Sequence, residues 1–227
     1  AFVLIFNPFT RTVAGYRTFV ETVTGDQKIF FTPGYHYAGF FAKTTEYPDV
    51  VTTVFSTKEQ DNVTSWQPPF TIRFNDATKA TAQATIRWNL PDDEEMMIQI
   101  HKAYRSADKL AKNSLIPYSR ECLKFAAQLM ESETHYSGGR SKLKEDFRNQ
   151  LQEGQYVLEY KTEYIENNIT KEKEKLTTSF IRRGEDGEPK RIESDIQKYE
   201  IKVDFAAIDE VDYEAQVDKK LAQKIEQ

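Results

Sequence analysis

Hydrolysis, acyl transfer and redox chemistry need a nucleophile beside a base, or two carboxylates in one pocket. This chain keeps the residue types that could supply such groups well apart. Its one cysteine is Cys122, and its three histidines are His36, His101 and His135. Cys122 falls on the apolar stripe of a predicted helix, where a thiol acts as a small buried hydrophobe. His36 follows a Pro-Gly turn and His101 sits in a charged helical stretch. Neither has a partner ligand close in sequence, so both read as surface or satisfied turn histidines. One cysteine excludes an intrachain disulfide, and no Cys/His spacing matches a zinc site. The residues therefore predict no catalytic centre, no metal and no cofactor.

Charge narrows the partners. Thirty-one basic residues against 36 acidic ones leave a net charge of −5, whereas a polyanion binder needs a basic field, so no nucleic acid is expected. At 227 residues the chain can bury a core without staples. It starts at Ala1 with an uncharged run, Phe2, Val3, Leu4, Ile5 and Phe6, closed by Asn7-Pro8 with Phe9 just beyond. A bilayer takes about twenty apolar residues to span. Three readings of the run stay open: the end of a membrane helix, the end of a signal-peptide core, or a buried first strand. No long apolar stretch follows, so a membrane anchor would be a single N-terminal one, with Phe2–Phe6 and Phe9 closest to the membrane. Arg11 and Arg17 hint at a cytoplasmic side under the positive-inside rule.

The elements follow from periodicity. From Thr12 to about Leu90, β-branched and aromatic residues punctuated by Gly and Pro predict strands and turns. The cleanest strand places Ala82, Ala84, Ile86, Trp88 and Leu90 on one face. At Pro91-Asp92-Asp93 the period becomes helical, with Met97, Ile100 and Tyr104 inward. A helix from about Ala107 to Glu131 should kink at Pro117, and a third from Arg140 to Gln152 should end on Gly154. Strand-like pieces follow around Tyr156–Tyr164, Lys175–Arg182 and Ile201–Phe205, and Gly184–Pro189 has the chemistry of a hairpin tip. Tyr213, Val217, Leu221 and Ile225 then form a four-residue stripe that fits a strict heptad poorly. It reads as an amphipathic helix packed on its own domain or as the start of a coiled coil.

Two further features have bland and sharp readings. The run Lys171-Glu172-Lys173-Glu174-Lys175 is a solvated connector or an intersubunit charge zipper. The aromatics Phe30, Phe31, Tyr35, Tyr37, Phe40 and Phe41 are sheet core, or in part residues that dip into a lipid headgroup layer.

In this order the chain resembles the SPFH (band 7) superfamily of stomatin-, prohibitin- and flotillin-like proteins. Four stretches carry the likeness: Gly15-Tyr16-Arg17-Thr18 with Thr32-Pro33-Gly34-Tyr35-His36; the alternating strand Ala80 to Pro91; the helical block Tyr104 to Gly154 with its Ser137-Gly138-Gly139-Arg140 joint; and Glu200 to Gln227. The resemblance implies an α+β fold of two small α/β subdomains, an antiparallel β-rich one over 10–91 and a helix-rich one over 92–210. Residues 1–9 would end a membrane segment and 211–227 would begin a long helix. It also implies a homo-oligomer, or an assembly with a paralogue, that forms a ring or cage on membrane lipid and corrals membrane proteins such as an AAA protease. About forty residues between Tyr160 and Ile201 depart from the family pattern and predict an inserted β-hairpin at about 162–200. A soluble α/β binding protein and a regulatory subunit of a membrane protease are the competing expectations.

Overall fold

The computed structural model of the chain describes residues 8–61, 63–166 and 173–225. With 33% helix and 38% strand it is an α+β protein, β-rich and antiparallel first, with helices after. Strands β1 (Phe9–Thr12), β2 (Tyr16–Glu21), β3 (Gln27–Phe30), β4 (Gly34–Tyr37) and β5 (Lys43–Pro48) form a two-stranded ribbon, β1-β4, and a three-stranded sheet, β3-β2-β5. Strands β6 (Val50–Phe55), β7 (Ser65–Gln67), β8 (Phe70–Arg73) and β9 (Lys79–Asn89) build a second sheet centred on β9. The predicted alternation holds there. Ala82, Ala84, Ile86 and Trp88 are fully buried and Leu90 nearly so. Alanines at 80, 82 and 84 keep half of this face shallow, which lets helices approach closely.

Asp93 caps α1 (Glu94–Tyr104) by accepting the Met96 amide at 2.9 Å, with Glu94 and Glu95 in the first turn. Met97, Ile100 and Tyr104 face the core as their spacing requires. The next helix is interrupted. After α2 (Ala107–Leu110) a π-helical turn spans Ala111–Leu115, and α3 (Ile116–Gln128) carries Pro117 in its first turn. Pro117 has no N–H for the carbonyl four residues back, and the wider turn absorbs that mismatch. The short α4 (Ser132–Thr134) and a second π turn, His135–Gly139, lead into α5 (Arg140–Glu153), which buries Leu143, Phe147 and Leu151. Helix α3 packs on α5 and β8, and α5 packs on the chain's last strand.

Gly154 ends α5 at φ 103° and ψ 157°, and an added Cβ would lie 2.8 Å from the Ile192 carbonyl oxygen. Only glycine adopts this backbone cheaply. Gly154→Ala is expected to cost about 2 kcal/mol, from backbone strain and displacement of Ile192, measured by chemical denaturation.

Beyond Gly154 the chain departs from the expected insertion. Strand β10 (Gln155–Tyr156) is followed by a long hairpin of β11 (Leu158–Glu166) and β12 (Lys173–Ile181). Its register runs out to Glu166 opposite Lys173, so its two strands are connected through 167–172, which lie outside the described residues, and not through Gly184–Pro189. Gly184–Pro189 makes a separate small turn, closed by the Gly184 amide on the Glu188 carbonyl at 2.8 Å. It delivers β13 (Arg191–Ile192) to β10, and the short α6 (Asp195–Lys198) follows with a Ser194 capping box. Strand β14 (Lys202–Tyr213) then returns to the second sheet and pairs with β9 along nearly its whole length. It is an edge strand, in the order β14-β9-β6-β7. Helix α7 (Ala215–Ile225) leaves from its end.

Candidate membrane-facing surface

Side chains alternate along a strand, so the β1–β4 register sorts the ribbon into two faces. Thr10–His36 and Thr12–Gly34 share one, Phe9–Tyr37 and Arg11–Tyr35 the other. The first face is fixed to the body. Buried Thr12 donates its hydroxyl to Thr18 Oγ1 at 2.8 Å, and the His36 ring stacks on Phe30 at 4.3 Å with Nε2 at 2.7 Å from the Thr32 carbonyl. The second face points outward. Phe9, Tyr35 and Tyr37 are 53, 75 and 61% exposed. Phe9 meets Tyr37 edge to face at 5.8 Å, and the Arg11 guanidinium sits 5.9 Å from the Tyr35 ring centre.

The Pro8 carbonyl accepts the amides of Ala38 and Gly39 at 2.8 and 3.1 Å, which holds the following turn against the start of β1. Phe40 and Phe41 on that turn are exposed as well, and Phe41 adopts φ 60°. A bulky non-glycine residue in that region is held there at a cost. Five large aromatics and an arginine thus face outward. Groups with an apolar body and a polar tip suit a boundary between lipid and water. Exposed large aromatics gathered on one ribbon and its turn mark a candidate interaction surface.

Of the residues singled out from sequence, Phe9, Tyr35, Tyr37, Phe40 and Phe41 lie on this surface. Phe2, Val3, Leu4, Ile5 and Phe6 lie outside the described residues. Phe30 is half-buried, stacked on His36, and Phe31 packs against the core with the Arg17 guanidinium over its ring at 5.3 Å. Tyr213 closes strand β14, while Val217, Leu221 and Ile225 fall in α7, with Leu221 buried and Val217 partly so. The stripe therefore begins as a strand. Arg17 gives no topology signal, because it is 3% exposed and ion-paired to Asp49 and Asp92 at 3.0 and 3.1 Å.

Burial pushes the Cys122 thiol up to about 12, so it is protonated at neutral pH. His101 is buried, stacked on Phe19 at 3.6 Å and bonded through Nδ1 to the Tyr47 hydroxyl at 2.9 Å. The sequence put it on a surface or in a turn; it is a core group. Among the described residues no three His, Cys, Asp or Glu side chains gather as metal ligands, and no helix is long and apolar enough to cross a membrane.

A family model described as SPFH domain / Band 7 family matches residues 10–227. The chain belongs to the SPFH/Band 7 family. No curated protein matches it. SPFH proteins typically oligomerise and associate with membranes, and they are generally scaffolds without enzymatic activity.

In this SPFH chain the root of the last helix is tied to the body by an aromatic and hydroxyl cluster. The Tyr213 hydroxyl lies 2.8 Å from His135 Nδ1, and its ring stacks on Phe74. His135 is 3% exposed, lies against Phe74, and has Arg140 as its nearby cation. Ser132 and Thr78 amides bind the Asp76 carboxylate beside it, at 3.1 and 3.0 Å. Burial first and Arg140 second hold His135 below its ordinary 6.5. The unfolded chain then takes up more protons than the folded one as pH falls below 6.5, so the folded state loses stability in that direction. His135→Gln is expected to flatten the fall in unfolding free energy as pH drops below 6.5, measured by urea titration at several pH values.

Proposed function

We propose that this protein is one subunit of a membrane-seated oligomeric scaffold, a ring or cage of like chains that encloses a patch of membrane and holds or regulates membrane proteins there, a membrane-bound AAA protease being one such client. The observation that carries the membrane half is the set of outward aromatics Phe9, Tyr35, Tyr37, Phe40 and Phe41, of which Phe9 follows closely in sequence on the apolar run Phe2–Phe6. An N-terminal anchor would place this ribbon at headgroup depth, where Tyr and Arg are favoured. Family membership supports the oligomeric half. Helix α7, with Val217, Leu221 and Ile225 in a stripe, would continue into the helix along which neighbours associate.

The reading is tested on the full-length protein by membrane fractionation, then by sizing and electron microscopy of the detergent extract. Recovery in the membrane fraction as closed particles of uniform size is the expected result. A wholly soluble protein, or a uniform population of monomers, would overturn it.

A further inference from the structure

The long hairpin β11–β12 and the edge strand β14 each leave backbone unpaired, and we infer that they pair between copies: the hairpin of one subunit adds a strand to the outer edge of β14 in the next. The inference rests on the oligomeric reading above. Among the described residues β11 and β12 pair only with each other, through nine residue pairs. The described part of the hairpin is open to solvent on both faces, with Tyr160 60% and Phe180 42% exposed near its base and Lys161, Thr162, Thr177 and Thr178 exposed beyond them. Two ties to the body lie near the base, Ser179 N–H to Asn75 Oδ1 at 3.0 Å and the Tyr160 hydroxyl to Gln128 Oε1 at 3.5 Å. A two-stranded ribbon exposed on both faces is marginal in water.

The complementary surface is at the far side of the second sheet. Strand β14 is twelve residues long, and among the described residues only its β9 side is paired. An open edge of that length recruits strands unless something blunts or covers it. Register shifts between Val203 and Phe205 and between Ile208 and Glu210 break it into short regular stretches. Beside the last of these a groove of about 500 Å³ runs along Ile208–Asp212, walled opposite by Arg140, Leu143 and Lys144 of α5. One wall is acidic, through Asp209, Glu210 and Asp212, and the other basic. An added strand with polar side chains of both kinds meets a partner on either side, and main-chain hydrogen bonds supply the affinity. A contact from hairpin to edge is heterologous, so it repeats around a ring until the ring closes.

The test uses full-length protein in two singly substituted pools, Asp212→Cys in one and either Thr162→Cys or Thr177→Cys in the other, mixed, reassembled and oxidised. Disulfide-linked dimers that need both pools are expected, and the arm position that reacts identifies the added strand. A shortened variant, with Tyr160–Ser179 replaced by Asn-Gly, gives a readout that does not depend on register. Amide exchange across Phe205–Tyr213 in the assembled particle should quicken about tenfold when the arm is removed. Particles that assemble with no such crosslink and unchanged exchange overturn the pairing and leave the scaffold reading intact. Sedimentation of the unaltered protein as a monomer overturns both.

Discussion

Replacing Tyr35, Tyr37 and Phe40 together with serine is expected to weaken binding of the 227-residue chain to lipid vesicles about 100-fold. Full burial of a large apolar side chain is worth roughly 1.5–3 kcal/mol, and a ring lodged at headgroup depth recovers about a third to a half of that. Three rings then contribute about 3 kcal/mol, and each 1.4 kcal/mol is a factor of ten. All three side chains are more than half exposed in the chain itself, so serine there removes little internal packing and the variant should fold normally. Val23→Ser is the matched control, because Val23 is 73% exposed but sits on the β2–β3 turn, away from the ribbon. Flotation with vesicles of mixed zwitterionic and anionic phospholipid measures the ratio. Equal flotation of the triple variant and the unaltered chain would remove the ribbon from the membrane contact.

The same ribbon shows what can and cannot be read from sequence. Six aromatics around Gly34 and Gly39 exceed what one small core needs, which pointed to a surface role for some of them. Sequence could not sort them, because the sorting depends on cross-strand register: Tyr35 and Tyr37 face outward only because Arg11 and Phe9 stand opposite them. Strand β9 was legible throughout, since it is regular and buried on one face. Strand β14, its direct partner, is legible only at its start, where Ile201–Phe205 reads as a strand. Its inward residues, Val203, Ala206, Ile208, Val211 and Tyr213, oppose Trp88, Ile86, Ala84, Ala82 and Ala80. Two bulges spread those five over irregular steps, which erases the period-2 signal and lets Tyr213 pass for the first residue of a helical stripe. The misplaced hairpin tip has a similar origin. Gly184-Glu185-Asp186-Gly187 is the stronger turn signature and does form a turn, while Asn167-Asn168 is the weaker signal between the two long strands. Pro117 was read correctly as a disturbance, although its resolution as a π turn depends on packing that no local signal carries.

The second large effect is expected at Arg17, whose charge looked like a topology marker and is in fact structural. Its guanidinium donates to Asp49 Oδ1 and Asp92 Oδ1 at 3.0 and 3.1 Å, donates a further short hydrogen bond to the Pro91 carbonyl, and lies over Phe31. These contacts join β2 to the segment where the second sheet hands over to α1. The two ends of the ion pairs differ sharply: the Arg17 side chain is 4% exposed, whereas Asp49 and Asp92 are 42 and 93% exposed. Losing the arginine leaves two carboxylates that water can still reach, so the cost stays below that of stranding a buried charge. It comes from the orphaned Pro91 carbonyl and the lost charge-assisted bonds, each worth roughly 1–3 kcal/mol. Arg17→Met keeps the volume over Phe31 and is expected to cost about 3 kcal/mol, lowering Tm by roughly 6–12 °C for a chain of this size. Asp92→Asn should cost under about 0.5 kcal/mol, since an ion pair so exposed on one side is screened. Thermal unfolding of the two variants side by side measures the asymmetry. An Arg17→Met loss no larger than that of Asp92→Asn would mean that the β2 junction is held by apolar packing alone.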